Sequence, residues 1–432
     1  MRLLNRLFNM NLFKDGLNKG FIKLSVLISL IYFMLELYYY FFITKGFSHL
    51  GYSIDVNTIK YVLTKLIFIG LLSLSYLLFK KSSFLYSIYL LLIFFFYIPN
   101  AILFSLANSE YNPFFCNVFF ISSFISSAYF NIKLPQVSLF DRYKSAGILG
   151  LSFLILIPIV YTFKSNVNWG TLILMNIYET RVVFSEKLVG SLSYLYHLSI
   201  KTILPIALIY FMIKKKPVLI AICFFALLYL FVISGNRFVY FTSMILIYFY
   251  YFGKDYISKI KYFFTITIIL FIAFPFIDYF IIRASNPILI GTFVNRFLFT
   301  PAILTQWYFE FFEGKPFYFA ESHFFNKFIH SPYDMPIGFL ISKVYLNAPT
   351  VYANNGIVSD GYMNLGYYGV TLYSIVFSFL FGLFNSLNLN KGYFGLFFSL
   401  IYMFLSVPFL SCFITGGVLF FLIIAFFFLR EK

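Results

Sequence analysis

Apolar runs of about 17–25 residues, each long enough to cross a lipid bilayer, follow one another through almost the whole chain. A soluble fold cannot cover so much apolar surface. Charged residues make up only 11% of the sequence, against about a quarter in a typical soluble domain. The pattern therefore predicts an all-α polytopic membrane protein, with residues 1–432 forming a single integral membrane domain.

Twelve spans are predicted from these runs, at residues 21–43, 61–79, 84–107, 114–130, 147–163, 197–213, 217–234, 238–252, 262–282, 366–386, 393–410 and 413–429. An even number of spans places both termini on one side. Most basic residues then fall on that side, before the first span and in alternate short loops such as Lys214–Lys216. The positive-inside rule makes that side cytoplasmic. Residues 1–20 become a basic cytoplasmic N-terminus, and the long loops 164–196 and 283–365 lie outside.

The net charge of +17 follows from this topology, with anionic lipid headgroups as the natural counter-charge. We therefore expect membrane lipids as partners and no nucleic acid. Cys116, Cys223 and Cys412 fall in or beside apolar runs, where cysteine acts as a small packing residue. The cytoplasmic loops carry no nucleotide-binding motif. The Glu321-x-His323 pair lacks further ligands nearby, so neither a metal nor another cofactor is expected.

Four ionisable residues lie within the predicted spans, each toward the outer end: Glu36, Lys65, Lys201 and Asp278. One interpretation is that these side chains reach for the outer membrane surface. The other is that they line a polar vestibule that opens outward. Their positions in the sequence do not separate the two.

A break of only a few residues, Ser234-Gly235-Asn236-Arg237, connects two strongly apolar predicted spans on the outer side. An arginine in so short a hairpin cannot move far into water. Its charge must sit at the membrane surface or in a polar cavity, because an unpartnered charge in lipid costs several kcal/mol. We therefore predict that Arg237 lines an outward-facing site.

Arginine recurs on this outer face, at Arg181, Arg237, Arg283 and Arg296. A guanidinium group offers planar, paired donors that match phosphate oxygens, so a cluster of these side chains would suit a phosphate ligand. Ordinary ion pairs are the alternative. Arg181 has Glu179 and Glu186 nearby in the sequence, and Arg283 follows Asp278 at a helix end.

Candidates for a general base lie in the second long loop. His323 and His330 are the loop histidines, and Asp360 begins a motif that continues with Tyr362 and Asn364 just outside the tenth predicted span. Histidine and a carboxylate with a raised pKa both accept protons near neutral pH. Asp360 is equally suited to capping the helix that follows it.

Together these motifs resemble the Wzy-type polymerases of bacterial surface polysaccharide, the O-antigen or oligosaccharide repeat-unit polymerase family. Ser234-Gly235-Asn236-Arg237 is similar to the family's Ser-Gly-Ser-Arg hairpin, and Asn295-Arg296 with Pro301 resembles the start of its large periplasmic loop. Two further segments are similar: Tyr178-Glu179-x-Arg181, and Asp360-x-Tyr362-x-Asn364-x-Gly366-x-x-Gly369, where Leu365 replaces a phenylalanine. The resemblance covers roughly residues 178–370.

The resemblance implies a GT-C-like helical bundle in the bacterial inner membrane, with its large periplasmic loop between the ninth and tenth spans. It implies polymerisation of undecaprenyl-pyrophosphate-linked oligosaccharide units, as donor and acceptor, at the periplasmic face and without a metal. A chain-length regulator is an expected partner. The implied catalytic residues are Arg237, Asp360 and His323. The implied substrate-binding residues are Arg181, Arg283, Arg296, Tyr362 and Asn364.

Three other functions remain open. A lipid-linked oligosaccharide flippase would show internal repeats and broken helices at mid-membrane, and no convincing repeat is visible. Related O-antigen ligases carry a His-Asn pair before a similar glycine motif, whereas this chain has Asn354-Asn355 there. A glycosyltransferase using polyprenyl monophosphate sugars would place acidic residues in the first outer loop, which here offers only Asp55.

Overall fold

The computed structural model describes residues 19–130, 132–135, 143–173, 175–283, 287–322 and 325–430. Across these residues the chain is built from helices, with no strand beyond an isolated bridge between Leu389 and Arg430. The predicted all-α class is therefore confirmed. Most of the basic segment predicted at 1–20 lies outside the described residues.

The principal helices, in chain order, are α1 (Lys19–Gly46), α2 (Thr58–Lys81), α3 (Ser83–Leu106), α4 (Tyr111–Ser123), α5 (Lys144–Phe163), α6 (Ile177–Lys187), α7 (Ser191–Ile213), α8 (Pro217–Ser234), α9 (Arg237–Tyr251), α10 (Tyr256–Ile281), α11 (290–311), α12 (Ile337–Leu346), α13 (Ile357–Ser386), α14 (Lys391–Ser406) and α15 (Phe409–Leu429).

Nine helices in the described ranges are long and apolar enough to cross a membrane: α1, α2, α3, α5, α7, α8, α10, α13 and α15. The chain is thus a polytopic α-helical protein, as predicted. The other three predicted spans fall on the shorter helices α4, α9 and α14. Helices of 13 and 15 residues, as in α4 and α9, are shorter than the roughly 20 residues that usually cross a bilayer.

The interior of the bundle is packed with aromatic rings around α3, whose apolar stretch is buried along its whole length. Phe104 of α3 stacks on Phe114 of α4 with ring centroids 4.2 Å apart, and Phe84 meets Phe397 of α14 edge-on at 4.7 Å. Offset and edge-to-face pairs add to the energy of simple burial. Much of the chain's phenylalanine therefore packs helix against helix inside the protein.

Contacts between helix ends define two ends of the bundle. The arginine end contains the α8–α9 hairpin at residues 234–237. The lysine end contains the loops 214–216, 252–255 and 387–393. There the Tyr250 hydroxyl at the end of α9 donates to the Met212 carbonyl of α7 at 2.8 Å, and the Tyr256 hydroxyl of α10 donates to the Leu389 carbonyl at 3.2 Å. Helix α9 runs from one end to the other.

Helix α13 breaks sharply near its beginning. Leu365 leaves helical geometry, and Gly366 has a φ of 60° that favours glycine. The short segment 357–364 folds back on the rest of the helix, so that a Cβ on Gly369 would lie 2.0 Å from the Gly361 carbonyl oxygen. Only glycine permits so close an approach. The regular rod therefore starts beside residue 366, where the tenth span was predicted to begin.

One pair of charges inside the helices is satisfied within the protein. Glu36 of α1 and Lys65 of α2 form an ion pair, and the Lys65 ammonium also lies 3.6 Å from the centre of the Tyr32 ring. Pairing across two neighbouring helices lowers the cost of keeping both charges in an apolar setting. This ion pair links α1 to α2.

Asp278, near the end of α10, is fully buried. Its two carboxylate oxygens accept hydrogen bonds from the backbone N–H groups of Leu289 and Ile290, both at 2.9 Å. These N–H groups begin α11 and have no partner within the helix itself. Asp278 therefore caps α11 and fixes its start against α10, and it does not pair with Arg283.

Replacing Asp278 should destabilise the junction of α10 and α11. Asp278→Ala leaves two buried N–H groups without an acceptor, at about 1–3 kcal/mol each, whereas Asp278→Asn keeps one acceptor oxygen and should be intermediate. Thermal unfolding of purified protein measures the difference. Asp55→Ala is the control, because Asp55 is exposed and accepts a single bond from Asn108. Equal stability of Asp278→Ala and Asp55→Ala would contradict the capping role.

Candidate functional site

The hairpin at 234–237 is shaped by two residues. Gly235 ends α8 with a φ of 60°, and the Asn236 side chain caps α9 by accepting from the Phe238 N–H at 3.1 Å. A Cβ on Gly235 would also lie 2.9 Å from the Ile177 carbonyl oxygen of α6. The turn is therefore both conformationally specified and pressed against α6, which holds Arg237 at the first position of α9.

Arg181 approaches the hairpin from α6. Its Nε donates a hydrogen bond to the Gly235 carbonyl at 3.0 Å, so this side chain contacts the turn directly. Helix α6 is anchored in turn by Phe184, whose ring lies 4.4 Å from that of Phe163 at the end of α5. The loop predicted at 164–196 thus brings an arginine to Arg237 across more than fifty residues of sequence.

Arg296 arrives from α11. Asn295 beside it accepts from the Tyr52 hydroxyl at 2.8 Å, and Phe297 stacks on Tyr402 of α14 with ring centroids 4.9 Å apart. These two contacts fix the residues immediately before and after Arg296 in α11. Its side chain consequently enters the same space as those of Arg181 and Arg237.

The three arginines line one cavity of about 260 Å³ at the arginine end of the bundle, which we call the arginine cavity. Its walls are formed by Arg181, Asn236, Arg237, Phe238, Phe241, Thr242, Ile245, Thr292, Arg296, Phe297, Asn354, Phe398, Ser399, Tyr402 and Ser406. Three of the four arginines that the sequence predicted to cluster, Arg181, Arg237 and Arg296, therefore line one cavity, and Arg283 does not.

No aspartate or glutamate stands in the wall of the arginine cavity, and none of its three arginines forms an ion pair with any described residue. The Arg237 Nε is buried without a hydrogen-bond partner. Burial lowers the pKa of Arg181, and the neighbouring Arg237 and Arg296 lower it further. Since arginine nonetheless stays charged, the cavity concentrates positive charge that an anion would stabilise.

The arginine cavity also has an apolar part. Phe241 and Ile245 lie about one and two turns beyond Arg237 on α9, and with Phe398 from α14 they belong to the cavity wall, as do Thr242 and Ser399. Phe398 in turn packs on Phe249 and Phe263 at centroid distances of 5.2 and 5.0 Å. A ligand that carries negative charge at one end and hydrocarbon at the other matches this division.

Asp360 lies elsewhere, buried in the folded-back start of α13. One carboxylate oxygen accepts from the Asn364 amide at 3.0 Å, and the other accepts from the Phe409 N–H at 2.9 Å. Phe409 begins α15, so Asp360 caps a helix other than its own. The sequence suggested a cap on the helix that follows Asp360, and the actual partner lies 49 residues away.

Tyr362 and Asn364 also make structural contacts. The Tyr362 ring stacks on Phe309 of α11 with centroids 4.0 Å apart. The Asn364 side-chain oxygen accepts from the Phe319 N–H at 2.8 Å, and its backbone carbonyl accepts from Tyr318 at 3.1 Å. The motif from Asp360 to Asn364 therefore ties the loop at 317–319, α11 and α15 to the break in α13, and none of its residues lines the arginine cavity.

The remaining predicted site residues are not brought to the arginine cavity by the described part of the chain. Arg283 is exposed at the end of α10, with a φ of 51°. His330 is exposed in the loop that precedes α12. His323 lies outside the described residues.

Sequence reasoning missed a second cavity of about 410 Å³ beside α11, which we call the acidic cavity. Its walls include Glu110, Gln306, Trp307, Glu310 and Glu313. The Gln306 side-chain oxygen is buried without a protein partner. Glu310 and Glu313 follow Trp307 at helical spacing, which was the available signal. The contribution of Glu110 depends on tertiary structure alone.

Asn354 is another wall residue of the arginine cavity that the sequence did not single out for binding. It stands at the position compared above with the histidine-containing pair of the ligases. Its neighbour Asn355 points elsewhere, with its amide 3.7 Å from the Met363 sulfur. Asn354 therefore adds a neutral amide, with both a donor and an acceptor, to the three arginines.

Comparison of the chain with protein-family models, with curated proteins and with solved structures finds no match in any of the three. The resemblance of the local motifs to Wzy-type polymerases therefore stays a prediction.

Pyrophosphate should stabilise the purified protein through the arginine cavity. A ligand at 100 times its dissociation constant stabilises the folded state by about 2.7 kcal/mol, which raises the midpoint of thermal unfolding. Arg296→Gln should weaken the rise, because it removes a charge from the wall. Lys187→Gln is the control, since Lys187 is exposed in α6 and outside the cavity. An equal rise in Arg296→Gln, or in wild type with sodium chloride of equal ionic strength, would contradict the site.

Proposed function

We propose that the chain is a polysaccharide polymerase that joins oligosaccharide units carried on undecaprenyl pyrophosphate. The observation that carries this proposal is the arginine cavity, where Arg181, Arg237 and Arg296 share one lining with apolar side chains and have no acidic partner. A lipid-linked pyrophosphate has the same division, with two phosphates at the head of a long hydrocarbon chain. Arginine suits phosphate better than lysine because its donors are paired and planar.

In the proposed reaction, a hydroxyl of the incoming lipid-linked unit attacks the anomeric carbon of the growing chain. The bond from that carbon to the pyrophosphate oxygen breaks, and undecaprenyl pyrophosphate leaves with the bonding electron pair. The hydroxyl proton passes to a base as the glycosidic bond forms. Arg181, Arg237 and Arg296 stabilise the negative charge that grows on the leaving group.

The acidic cavity suits the sugar part of the substrate. Trp307 follows Arg296 by eleven residues along the continuous helix α11, which corresponds to roughly 15 Å. The carboxylates of Glu110, Glu310 and Glu313 accept hydrogen bonds from sugar hydroxyls, and the Gln306 amide both donates and accepts. An oligosaccharide extending from a pyrophosphate in the arginine cavity would run along α11 to this second cavity.

The proposal includes twelve membrane crossings, a cytoplasmic position for both termini and a periplasmic arginine end in a GT-C-like bundle. The short helices α9 and α14 support additional crossings, since each runs between the lysine end and the walls of the arginine cavity. Lysines at the loops 214–216, 252–255 and 387–393 support the orientation by the positive-inside rule.

Cysteine labelling tests the orientation. The natural cysteines are buried, so their background reaction is low. Val189→Cys and Lys315→Cys, at exposed positions on the proposed periplasmic side, should react with a membrane-impermeant thiol reagent in intact spheroplasts. Lys216→Cys should react only after lysis. The reverse pattern would reject the orientation, and with it a periplasmic reaction.

Two alternatives use the same ligand chemistry. A flippase would need a path through the membrane. The aromatic packing of Phe398 on Phe249 and Phe263 favours a site that serves one face. A ligase is disfavoured by the asparagine at Asn354, where that family carries histidine. The polysaccharide profile of a deletion strain separates all three. Surface lipid capped with single repeat units supports the polymerase. Accumulated lipid-linked units that face the cytoplasm support the flippase. Polymer that stays on its lipid carrier supports the ligase.

Arg237 should be the least replaceable side chain of the proposed enzyme. Arg237→Ala should slow polymerisation roughly 10²–10³-fold, by removing about 2–4 kcal/mol of transition-state stabilisation. Arg237→Lys should not restore it, because lysine lacks paired donors. Polymer length on gels, at equal expression, is the readout. Lys187→Ala serves as the control for lost charge at this end. Normal polymer in Arg237→Ala would refute the role.

Arg283 gives a further comparison at the same end of the bundle. Its place among the outer-face arginines predicts it as a substrate-binding residue, whereas it is exposed and lies outside the arginine cavity. A loss in Arg283→Ala as large as that in Arg237→Ala would return it to the site.

Asp360→Asn separates two roles of that carboxylate. Asparagine keeps an acceptor oxygen for the Phe409 N–H but cannot take up a proton, so a base would be lost while most of the cap survives. The hydrogen bonds to Asn364 and Phe409 lead us to expect a folded protein of slightly lower stability that still polymerises. A folded Asp360→Asn variant without polymer would identify Asp360 as the base. Loss of polymer in His323→Ala would assign that role to the histidine.

A further inference from the structure

A second positively charged cavity lies at the lysine end, opposite the site described above. It measures about 610 Å³ and is enclosed by the end of α9, the first turn of α10 and the loop between α13 and α14. Lys254, Lys259 and Lys391 stand in its walls, together with Tyr251, Tyr256 and Asn388. We call it the lysine cavity.

Lys259 makes this cavity more than a cluster of surface charges. The residue is only 2% exposed, yet it lines the cavity. Its ammonium donates to the Phe249 carbonyl of α9, the one hydrogen bond that it makes to the described residues. An ammonium group has three donors, so Lys259 retains donors for a ligand. A buried charge with free donors is costly unless an anion is nearby.

The backbone around Lys259 is shaped to hold it there. Gly253 has a φ of 87°, and a Cβ at that position would lie 2.6 Å from the Lys259 backbone nitrogen. Glycine therefore lets the loop at 252–255 close over the first turn of α10. Asp255, the acid nearest in sequence, is close enough to attract the Lys259 ammonium electrostatically but forms no ion pair with it, and its side chain caps α10 by accepting from the Ser258 N–H at 2.9 Å. No acidic residue belongs to the cavity wall.

The rim of the lysine cavity is suited to a membrane surface. Tyr251 and Phe252, at the end of α9, are 71% and 47% exposed. Aromatic side chains of this kind favour the headgroup region of a bilayer, between apolar spans and water. Lys254 and Lys391 are exposed beside them. The cavity thus presents ammonium groups at the depth where lipid phosphates lie.

We propose that the lysine cavity binds the phosphate group of an anionic membrane lipid, with Lys259 as the inner contact and Lys254 and Lys391 as the outer contacts. Lysine binds phosphate as a compact charge, without the paired geometry of arginine. The inference does not depend on the polymerase reaction, because it concerns the other end of the bundle and needs only a membrane. Inorganic phosphate offers the same chemistry without the lipid tail.

Lipid retention by the full-length protein tests the proposal. Native mass spectrometry of detergent-purified protein would count adducts of phosphatidylglycerol and of phosphatidylcholine at equal mole fraction. Phosphatidylglycerol should be preferred. Lys254→Gln combined with Lys391→Gln should weaken its binding roughly 25-fold, since each lysine near an anionic surface contributes about fivefold. Both side chains are exposed, so the pair should fold, and thermal unfolding in phosphatidylcholine checks this.

The control is Lys80→Gln combined with Lys81→Gln, which removes two lysines at the same end of the bundle but outside the cavity. Normal phosphatidylglycerol retention in this control supports the site. An equal loss in both double variants would mean diffuse surface attraction and would overturn the proposal. So would unchanged retention after loss of Lys254 and Lys391. Binding of inorganic phosphate without retention of phosphatidylglycerol would reject a lipid as the ligand.

Discussion

In an apolar setting every buried polar group needs a partner within the protein, and the helices of this chain are joined by meeting that need. Asp278 caps α11 through two N–H groups, and Asp360 caps α15 across 49 residues. Glu36 and Lys65 neutralise one another between α1 and α2. These carboxylates join neighbouring helices. Against this background, the three neighbouring arginines of the arginine cavity stand out because they have no acidic partner.

Much of this arrangement was predictable from local pattern. The all-α class follows from the apolar runs, and the meeting of Arg181, Arg237 and Arg296 follows from their common side. The direction in which each side chain points, and the distant residue that it contacts, were not predictable. Arg283 shares that side but is exposed, and the acceptor role of Asp360 toward Phe409 depends on how α13 folds back at Gly366. The acidic and lysine cavities each combine residues from segments far apart in the sequence, and a single sequence carries no periodic signal for such a meeting.

Helix α9 connects the two positively charged cavities. It begins with Arg237 in the arginine cavity and ends with Tyr251 in the lysine cavity, 14 residues or about 21 Å later. Between these ends its buried face meets aromatic rings, with Phe249 lying 5.1 Å from Phe394 of α14. Packing of this density resists compression. Each cavity is therefore built on one end of a stiff, well-packed element, and the hairpin at 234–237 inherits its position from that packing.

The concentration of positive charge around Arg237 also bears on turnover. With Arg181 and Arg296 close by and no carboxylate in the wall, the three guanidinium groups repel one another unless an anion lies among them. Under the proposed function, a pyrophosphate-bearing product would accordingly be released slowly on its own. Its exit would be fastest when the next anionic head enters as it leaves, so that exchange of one lipid carrier for another, and not bond formation, would set the pace of the cycle.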